Sequence, residues 1–196
     1  KLYTCLMRIS RMGILPKVEK VVRHRPLNDA DLSIIFANSG EWELYYAVLL
    51  HTGLRAGDAA MLTYDNIEFS RKIITTLVRK SRRVHEFPLS DYLISLISEN
   101  KEGNNPLFSI LFSTMKNNAG ETVIDERVLH YRIGIPRKHL QMILKEANRP
   151  KATLHSFRVT FNNLLLAENL AIEDRKSLMA HSSSNTTSVY THPNLE

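Results

Sequence analysis

Four residues late in the chain carry side chains that suit chemistry on an anion: His155, Arg158, His181 and Tyr190. His155 and Arg158 are three positions apart, so in a helix they lie close on one face and can address a single anion. His181 and Tyr190 are nine positions apart, and the Ser/Thr/Asn-rich stretch between them favours a helix N-terminus or a tight turn. We therefore expect an anion-facing site, with Tyr190 on a short helix near the end.

A further candidate for the same site is Arg55. Gly53 should end a buried helix over residues 41–51, and a second helix is predicted around residues 58–62. Arg55 lies between the two, where the N–H groups of the second helix favour an anion. The alternative is an ordinary ion pair between Arg55 and Asp58.

Two β-branched runs, at residues 73–78 and 84–89, predict a β-hairpin. Its tip is strongly cationic and contains Arg79, Lys80, Arg82 and Arg83. Such a run is usually a solvated turn, but it can also contact the phosphates of DNA or RNA.

The elements that must position these residues are mainly helical. Helix starts are indicated at Asn28, which can act as an N-cap, and at Asp91. Two apolar stripes at helical spacing predict buried helix faces. The first is Leu140, Ile143, Leu144 and Ala147, and the second is Phe157, Phe161, Leu164 and Leu165. The second stripe would leave Arg158 free to leave the core by another edge of the helix. The pattern predicts an α+β fold, mainly helical, with a small antiparallel β-sheet.

Composition limits the class of protein. The 196 residues fit one main domain, and 26 Lys plus Arg against 20 Asp plus Glu give a net charge of +6, which favours a polyanionic partner. The single cysteine, Cys5, and the lack of a signal peptide or membrane span predict a cytoplasmic protein. Residues 1–25 are basic and are interpreted as a linker or the remnant of a missing N-terminal DNA-binding domain, so the compact domain is expected over residues 26–196.

The sequence lacks the motifs of several other kinds of site. The chain has no cysteine pair or His-x-x-x-His run for zinc, no glycine-rich phosphate loop and no Gly-x-Ser-x-Gly. No metal ion or small-molecule cofactor is expected. His155 or His181 alone is more often an ordinary, partly buried histidine, and only the combination favours chemistry.

That combination resembles the catalytic domain of the tyrosine recombinases, the phage-integrase and Xer-like family. The stretch from Thr52 to Asp58 is similar to the family's first arginine box, and Lys80, eight residues before Pro88, falls at its β-hairpin lysine. His155-Ser156-Phe157-Arg158 resembles its His-x-x-Arg box, and His181 and Tyr190 match its His/Trp and nucleophile positions. Two residues depart from the pattern: Ala180 replaces a common glycine, and Asp58 stands where glutamate is usual.

The resemblance implies the tyrosine-recombinase catalytic-domain fold and a site-specific recombinase or integrase acting on double-stranded DNA, with assembly into a tetramer on DNA. It implies a 3′-phosphotyrosine intermediate and six catalytic residues: Arg55, Lys80, His155, Arg158, His181 and Tyr190. Two alternatives share parts of the pattern, a type IB topoisomerase-like relaxing enzyme and a catalytically silent DNA-binding module.

Overall fold

The computed structural model describes residues 24–80, 82–100 and 106–179, which form eight α-helices and two small antiparallel sheets. The helices are α1 (Asp29–Ala37), α2 (Glu43–Thr52), α3 (Ala56–Ala59), α4 (Asp91–Glu99), α5 (Glu126–Arg132), α6 (Gly134–Glu146), α7 (Leu154–Ala167) and α8 (Ile172–Leu178). The strands are β1 (Ile67–Glu68), β2 (Ile73–Val78), β3 (Arg83–Pro88), β4 (Thr114–Lys116) and β5 (Thr122–Ile124). In these ranges, no helix is long and apolar enough to cross a membrane.

Helix α2 lies at the centre of the core. Its residues 44–49 are all buried, and it packs against α7 and α4. Tyr46 stacks on Phe157 of α7 with ring centroids 5.4 Å apart, and its hydroxyl donates to the Pro136 carbonyl at 2.7 Å. A tyrosine buried this way needs such an acceptor, so the hydrogen bond also fixes α6 against α2.

The helix boundaries predicted around α1 and α2 are confirmed. Asn28 caps α1, because its Oδ1 accepts the N–H of Asp31 at 3.0 Å while Asp31 Oδ2 accepts the N–H of Asn28 at 3.2 Å. Gly53 ends α2 with φ at 60°, a left-handed conformation that favours glycine. The helix predicted at residues 58–62 instead covers Ala56–Ala59, so Arg55 is its N-cap residue.

The predicted β-hairpin is also confirmed. Strands β2 and β3 pair antiparallel from Ile73 with Pro88 to Val78 with Arg83, and β1 pairs with the outer edge of β2. The turn closes through Arg82, whose N–H donates to the Val78 carbonyl at 2.9 Å and whose φ is 53°. The hairpin therefore presents residues 79–82 as a tight turn at its end.

One prediction about α7 is wrong in part. The helix begins at Leu154, because Thr153 takes the N-cap position and Ser156 Oγ accepts its N–H at 3.1 Å. Leu164 is 47% exposed and does not belong to the buried stripe, since the buried residues of α7 end at Asn163. The sequence analysis also did not predict β1, the β4–β5 hairpin, α5 or α8.

We predict that Gly53→Ala lowers the free energy of unfolding by about 2–4 kcal/mol, combining left-handed backbone strain with overpacking. A Cβ atom at this position would lie 2.3 Å from Cδ1 of Phe161. Gly40 is the matched control, because it also has positive φ, 52°, but no atom within 4 Å of an added Cβ. Gly40→Ala should cost only about 1–2 kcal/mol. Equal losses in denaturant unfolding would contradict the close packing at Gly53.

Candidate active site

Arg158 is the most deeply buried charged group among the candidates, with 2% of the residue exposed. Its Nη1 donates to the carbonyl of Gly53, and its Nη2 donates to the carbonyl of Met179 at 2.6 Å. The expectation that Arg158 would leave the core is therefore wrong, because α2 and the end of α8 enclose this part of α7.

Arg55 lies directly after the turn that Arg158 holds. It is the N-cap residue of α3 with extended backbone angles, and its carbonyl accepts the N–H of Ala59 at 2.9 Å. Its side chain is 26% exposed, and Nη1 lies 3.9 Å from Oδ2 of the buried Asp58. That separation is too long for a hydrogen bond. Among the residues that the structure describes, Nη1 of Arg55 has no hydrogen-bond partner.

The four basic residues of the β2–β3 turn are placed differently from one another. Arg79 donates to Asp58 Oδ1 at 3.3 Å and to Glu126 Oε1 at 3.1 Å. Lys80 and Arg82 are exposed at the end of the hairpin. Arg83 begins β3, with its backbone paired to Val78. The turn therefore offers exposed cationic groups beside one that is bound into the protein.

His155, the second residue of α7, joins these groups electrostatically. Burial, which is the largest cause, together with the neighbouring His24 and the positive charges of Arg158, Arg55 and Lys80, lowers its pKa from 6.5 to about 4. His155 is consequently a neutral imidazole at pH 7. Three other predicted site residues, from α7, the start of α3 and the β2–β3 turn, lie close enough to influence its charge.

The sequence analysis missed the role of the residues just before the domain. His24 Nδ1 and Thr153 Oγ1 share a hydrogen bond of 2.9 Å, and the rings of His24 and His155 lie 4.6 Å apart. Arg25 donates to Asp31 Oδ2 at 2.5 Å and to the Pro150 carbonyl at 2.5 Å. Except for the Arg25–Asp31 pair, these contacts join positions more than 100 residues apart, so no local signal in the sequence indicates them.

A second unpredicted contact joins the hairpin to the last described helix. His85 of β3 lies against the backbone of Ser177 and Leu178 at the end of α8, and burial lowers its pKa below 6.5. The contact keeps α8 beside the hairpin that carries Lys80. It also fixes the chain just before Met179, which Arg158 holds.

His181 and Tyr190 lie outside the described residues. Met179, whose carbonyl binds Arg158, precedes His181 by two positions, so Arg158 holds the chain immediately before the second half of the predicted site. Within the described ranges, no group of three His, Cys, Asp or Glu side chains is arranged to hold a metal ion.

The chain is similar in sequence to phage integrases. The sequence profile described as "Phage integrase family" matches residues 27–196. A protein of Acholeplasma phage L2, named "Probable integrase/recombinase", is 28% identical over 157 residues, which are 80% of this chain and 50% of that protein. The chain therefore spans about half the length of this curated relative.

Solved structures share the fold. XerA recombinase is similar with a TM-score of 0.64 and 21% identity, over 92% of this chain and 63% of that chain. The Tn1549 transposon integrase in complex with a circular intermediate DNA is similar with a TM-score of 0.66 and 14% identity, over 93% of this chain and 66% of that chain. At these identities the likeness establishes the fold: an α+β, mainly helical tyrosine-recombinase catalytic domain with a small antiparallel sheet, as predicted.

We predict that His155 makes the protein less stable as the pH falls from 6.5 to 4. In that window an unfolded histidine takes up a proton, whereas folded His155, with a pKa of about 4, does not. The unfolded state then binds more protons, so the free energy of unfolding decreases as the pH decreases. His155→Gln should show a smaller fall in Tm over this window than the wild type. His130→Gln, at an exposed position of α5, serves as the control. An equal fall in wild type and His155→Gln would contradict a buried, neutral His155.

Proposed function

We propose that this chain, which belongs to the phage integrase family, is the catalytic domain of a site-specific DNA recombinase that cleaves and rejoins strands through a tyrosine. The observation that carries the proposal is the convergence of cationic groups on one place. Arg158 binds the carbonyl of Gly53, in the turn that leads into Arg55. The positive charges of Arg158, Arg55 and Lys80 all lower the pKa of His155. Such a cluster suits a phosphodiester, whose charge grows in the transition state.

Arg55, Arg158 and His181 would bind the non-bridging oxygens of the scissile phosphate. Charge-assisted hydrogen bonds to those oxygens strengthen as negative charge develops, which lowers the barrier to attack. The position of Arg55 supports this role, because its Nη1 has no hydrogen-bond partner within the described residues. Arg158, which its bonds to the Gly53 and Met179 carbonyls hold in place, would complete the clamp.

Tyr190 would be the nucleophile. A tyrosine hydroxyl has an ordinary pKa of about 10, so at neutral pH it needs a base or a strongly cationic site. His155 is neutral at pH 7 and would accept the phenolic proton. The new bond joins the tyrosine oxygen to phosphorus, and the bond that breaks joins phosphorus to the 5′ oxygen of the leaving strand.

Lys80 would give its proton to that 5′ oxygen as it leaves, which produces a free 5′-hydroxyl and a 3′-phosphotyrosine. Arginine cannot replace it, because a guanidinium stays protonated at any accessible pH. Rejoining reverses each step, with a 5′-hydroxyl as the nucleophile and Tyr190 as the leaving group. Because the phosphate stays esterified to Tyr190 in the intermediate, the energy of the broken bond is retained for rejoining. We therefore propose a reaction without ATP or a metal ion.

The proposed partner is double-stranded DNA, contacted by Arg82 and Arg83 of the hairpin turn, with the net charge of +6 in support. We propose that the protein assembles into a tetramer on DNA and acts in the cytoplasm. Residues 26–196 would form the catalytic domain, and residues 1–25 the linker that leads into it. The family match and the recombinase fold do not favour a relaxing enzyme or a silent DNA-binding module.

We predict that Tyr190→Phe abolishes the covalent protein–DNA adduct and leaves DNA affinity within a few-fold, because only the nucleophilic oxygen is removed. The measurement is a denaturation-resistant adduct on a nicked DNA substrate, with binding followed separately. Tyr131→Phe, which alters an exposed tyrosine of α5, should still form the adduct. Adduct formation by Tyr190→Phe would overturn the assignment and direct attention to Tyr64, Tyr92 or Tyr131.

We predict that Lys80→Ala reacts slowly on ordinary DNA and recovers when sulfur replaces the bridging 5′ oxygen, because a thiolate leaves without protonation. A general acid typically contributes about a hundredfold or more. Arg55→Ala is the matched control, since it removes transition-state stabilisation at the phosphate, and sulfur should restore it much less. A Lys80→Ala defect that is unchanged on the sulfur substrate would exclude Lys80 as the acid and make His155 the next candidate.

A further inference from the structure

Arg79 differs from its neighbours in the β2–β3 turn because its guanidinium is held by two carboxylates from two other elements. Nε donates to Asp58 Oδ1 of α3 at 3.3 Å, and Nη1 donates to Glu126 Oε1, at the start of α5, at 3.1 Å. Asp58 is 3% exposed and the Arg79 side chain is 37% exposed, so the ion pair between them is shielded from solvent on its carboxylate side. An exposed ion pair contributes little to stability, whereas a shielded pair resists separation more strongly.

The backbone of α3 shows how closely Arg79 is packed. A Cβ atom added to Gly57 would lie 2.6 Å from Nη2 of Arg79. The guanidinium therefore rests directly against α3, and a side chain at position 57 would displace it. Three separate contacts, with Asp58, Glu126 and the Gly57 backbone, fix the first residue of the turn.

Lys80 is the next residue along the chain, and its side chain is exposed. Because Arg79 is bound to α3, the backbone that carries Lys80 is held near Arg55 at the start of that helix. The electrostatic influence of Lys80 on His155 agrees with this placement. A turn without such an anchor would leave a flexible four-carbon side chain on a solvated loop.

We propose that Arg79 is a positioning residue that anchors the β2–β3 turn and so directs Lys80 at the scissile phosphate, and that it does not itself contact DNA. The inference rests on the proposed function and deepens it. It also revises the sequence-based expectation for Arg79, which rested on the charge of the turn alone. Two carboxylates close to one guanidinium leave it little net attraction for a phosphate.

The first test measures duplex DNA binding as a function of salt. Arg82→Ala, on the exposed side of the same turn, is the matched control and should lower the log–log slope by about 0.9. Arg79→Ala should leave the slope unchanged. A decrease equal to that of Arg82→Ala would identify Arg79 as a phosphate contact and overturn the proposal.

The second test measures the rate of adduct formation on ordinary DNA and on DNA with a bridging 5′ sulfur. Arg79→Ala should be about a hundredfold slower on ordinary DNA, since a misplacement of about 1 Å has such an effect. On the sulfur substrate most of that defect should disappear, as predicted for Lys80→Ala. A general loss of structure would slow both substrates alike. A normal rate on ordinary DNA, or a defect that sulfur does not relieve, would overturn the proposal.

Glu126→Gln provides a second variant in case Arg79→Ala does not fold. The Glu126 side chain is 70% exposed, so the substitution removes one carboxylate contact of Arg79 with little effect on the core. It should show a smaller defect of the same kind, relieved by sulfur, with an unchanged Tm. A failure of the wild type to form any adduct would instead contradict the proposed function, while the salt slopes would still decide whether Arg79 contacts phosphate.

Discussion

The rest of the site depends on the burial of one positive charge, the guanidinium of Arg158. A charge in the core is tolerated only where hydrogen bonds replace those lost to water. Here the carbonyls of Gly53 and Met179 supply them. Because Gly53 ends α2 and Met179 follows α8, one side chain links the turn before Arg55 to the chain that continues toward His181. The helical core is thereby coupled directly to the geometry of the site.

Around that buried arginine, the described residues bring several positive charges close together. Arg55 and Lys80 lie near His155, and the buried Asp58 is shared between Arg55 and Arg79. Like charges held together destabilise the folded protein, and a neutral His155 is one consequence. A bound phosphate would relieve this repulsion, most strongly when it carries the extra charge of a transition state. The repulsion among these cations therefore favours phosphate binding of the kind that the proposed reaction needs.

Local sequence patterns correctly predicted those helix ends and strands that are determined by residues close together in the sequence. Asn28 acts through a side-chain cap three residues long and Gly53 through its own backbone angle, and the β2–β3 hairpin follows from two β-branched runs. The failures concern long-range packing. The exposure of Leu164 and the burial of Arg158 both depend on which part of α7 is covered by other elements. The spacing of apolar residues along the helix does not indicate which part that is. A similar limit applies to the basic turn, where charge alone did not distinguish Arg79 from Arg82.

The contacts of His24 and Arg25 bear on where the catalytic domain begins. Composition placed residues up to 25 in a basic linker, yet Arg25 is bound to the buried Asp31, and His24 lies against His155. A guanidinium bound to a carboxylate at 0% exposure is part of the fold, since separating the pair would leave a buried charge unpaired. The segment before α1 is therefore attached at its end to the N-terminus of α7.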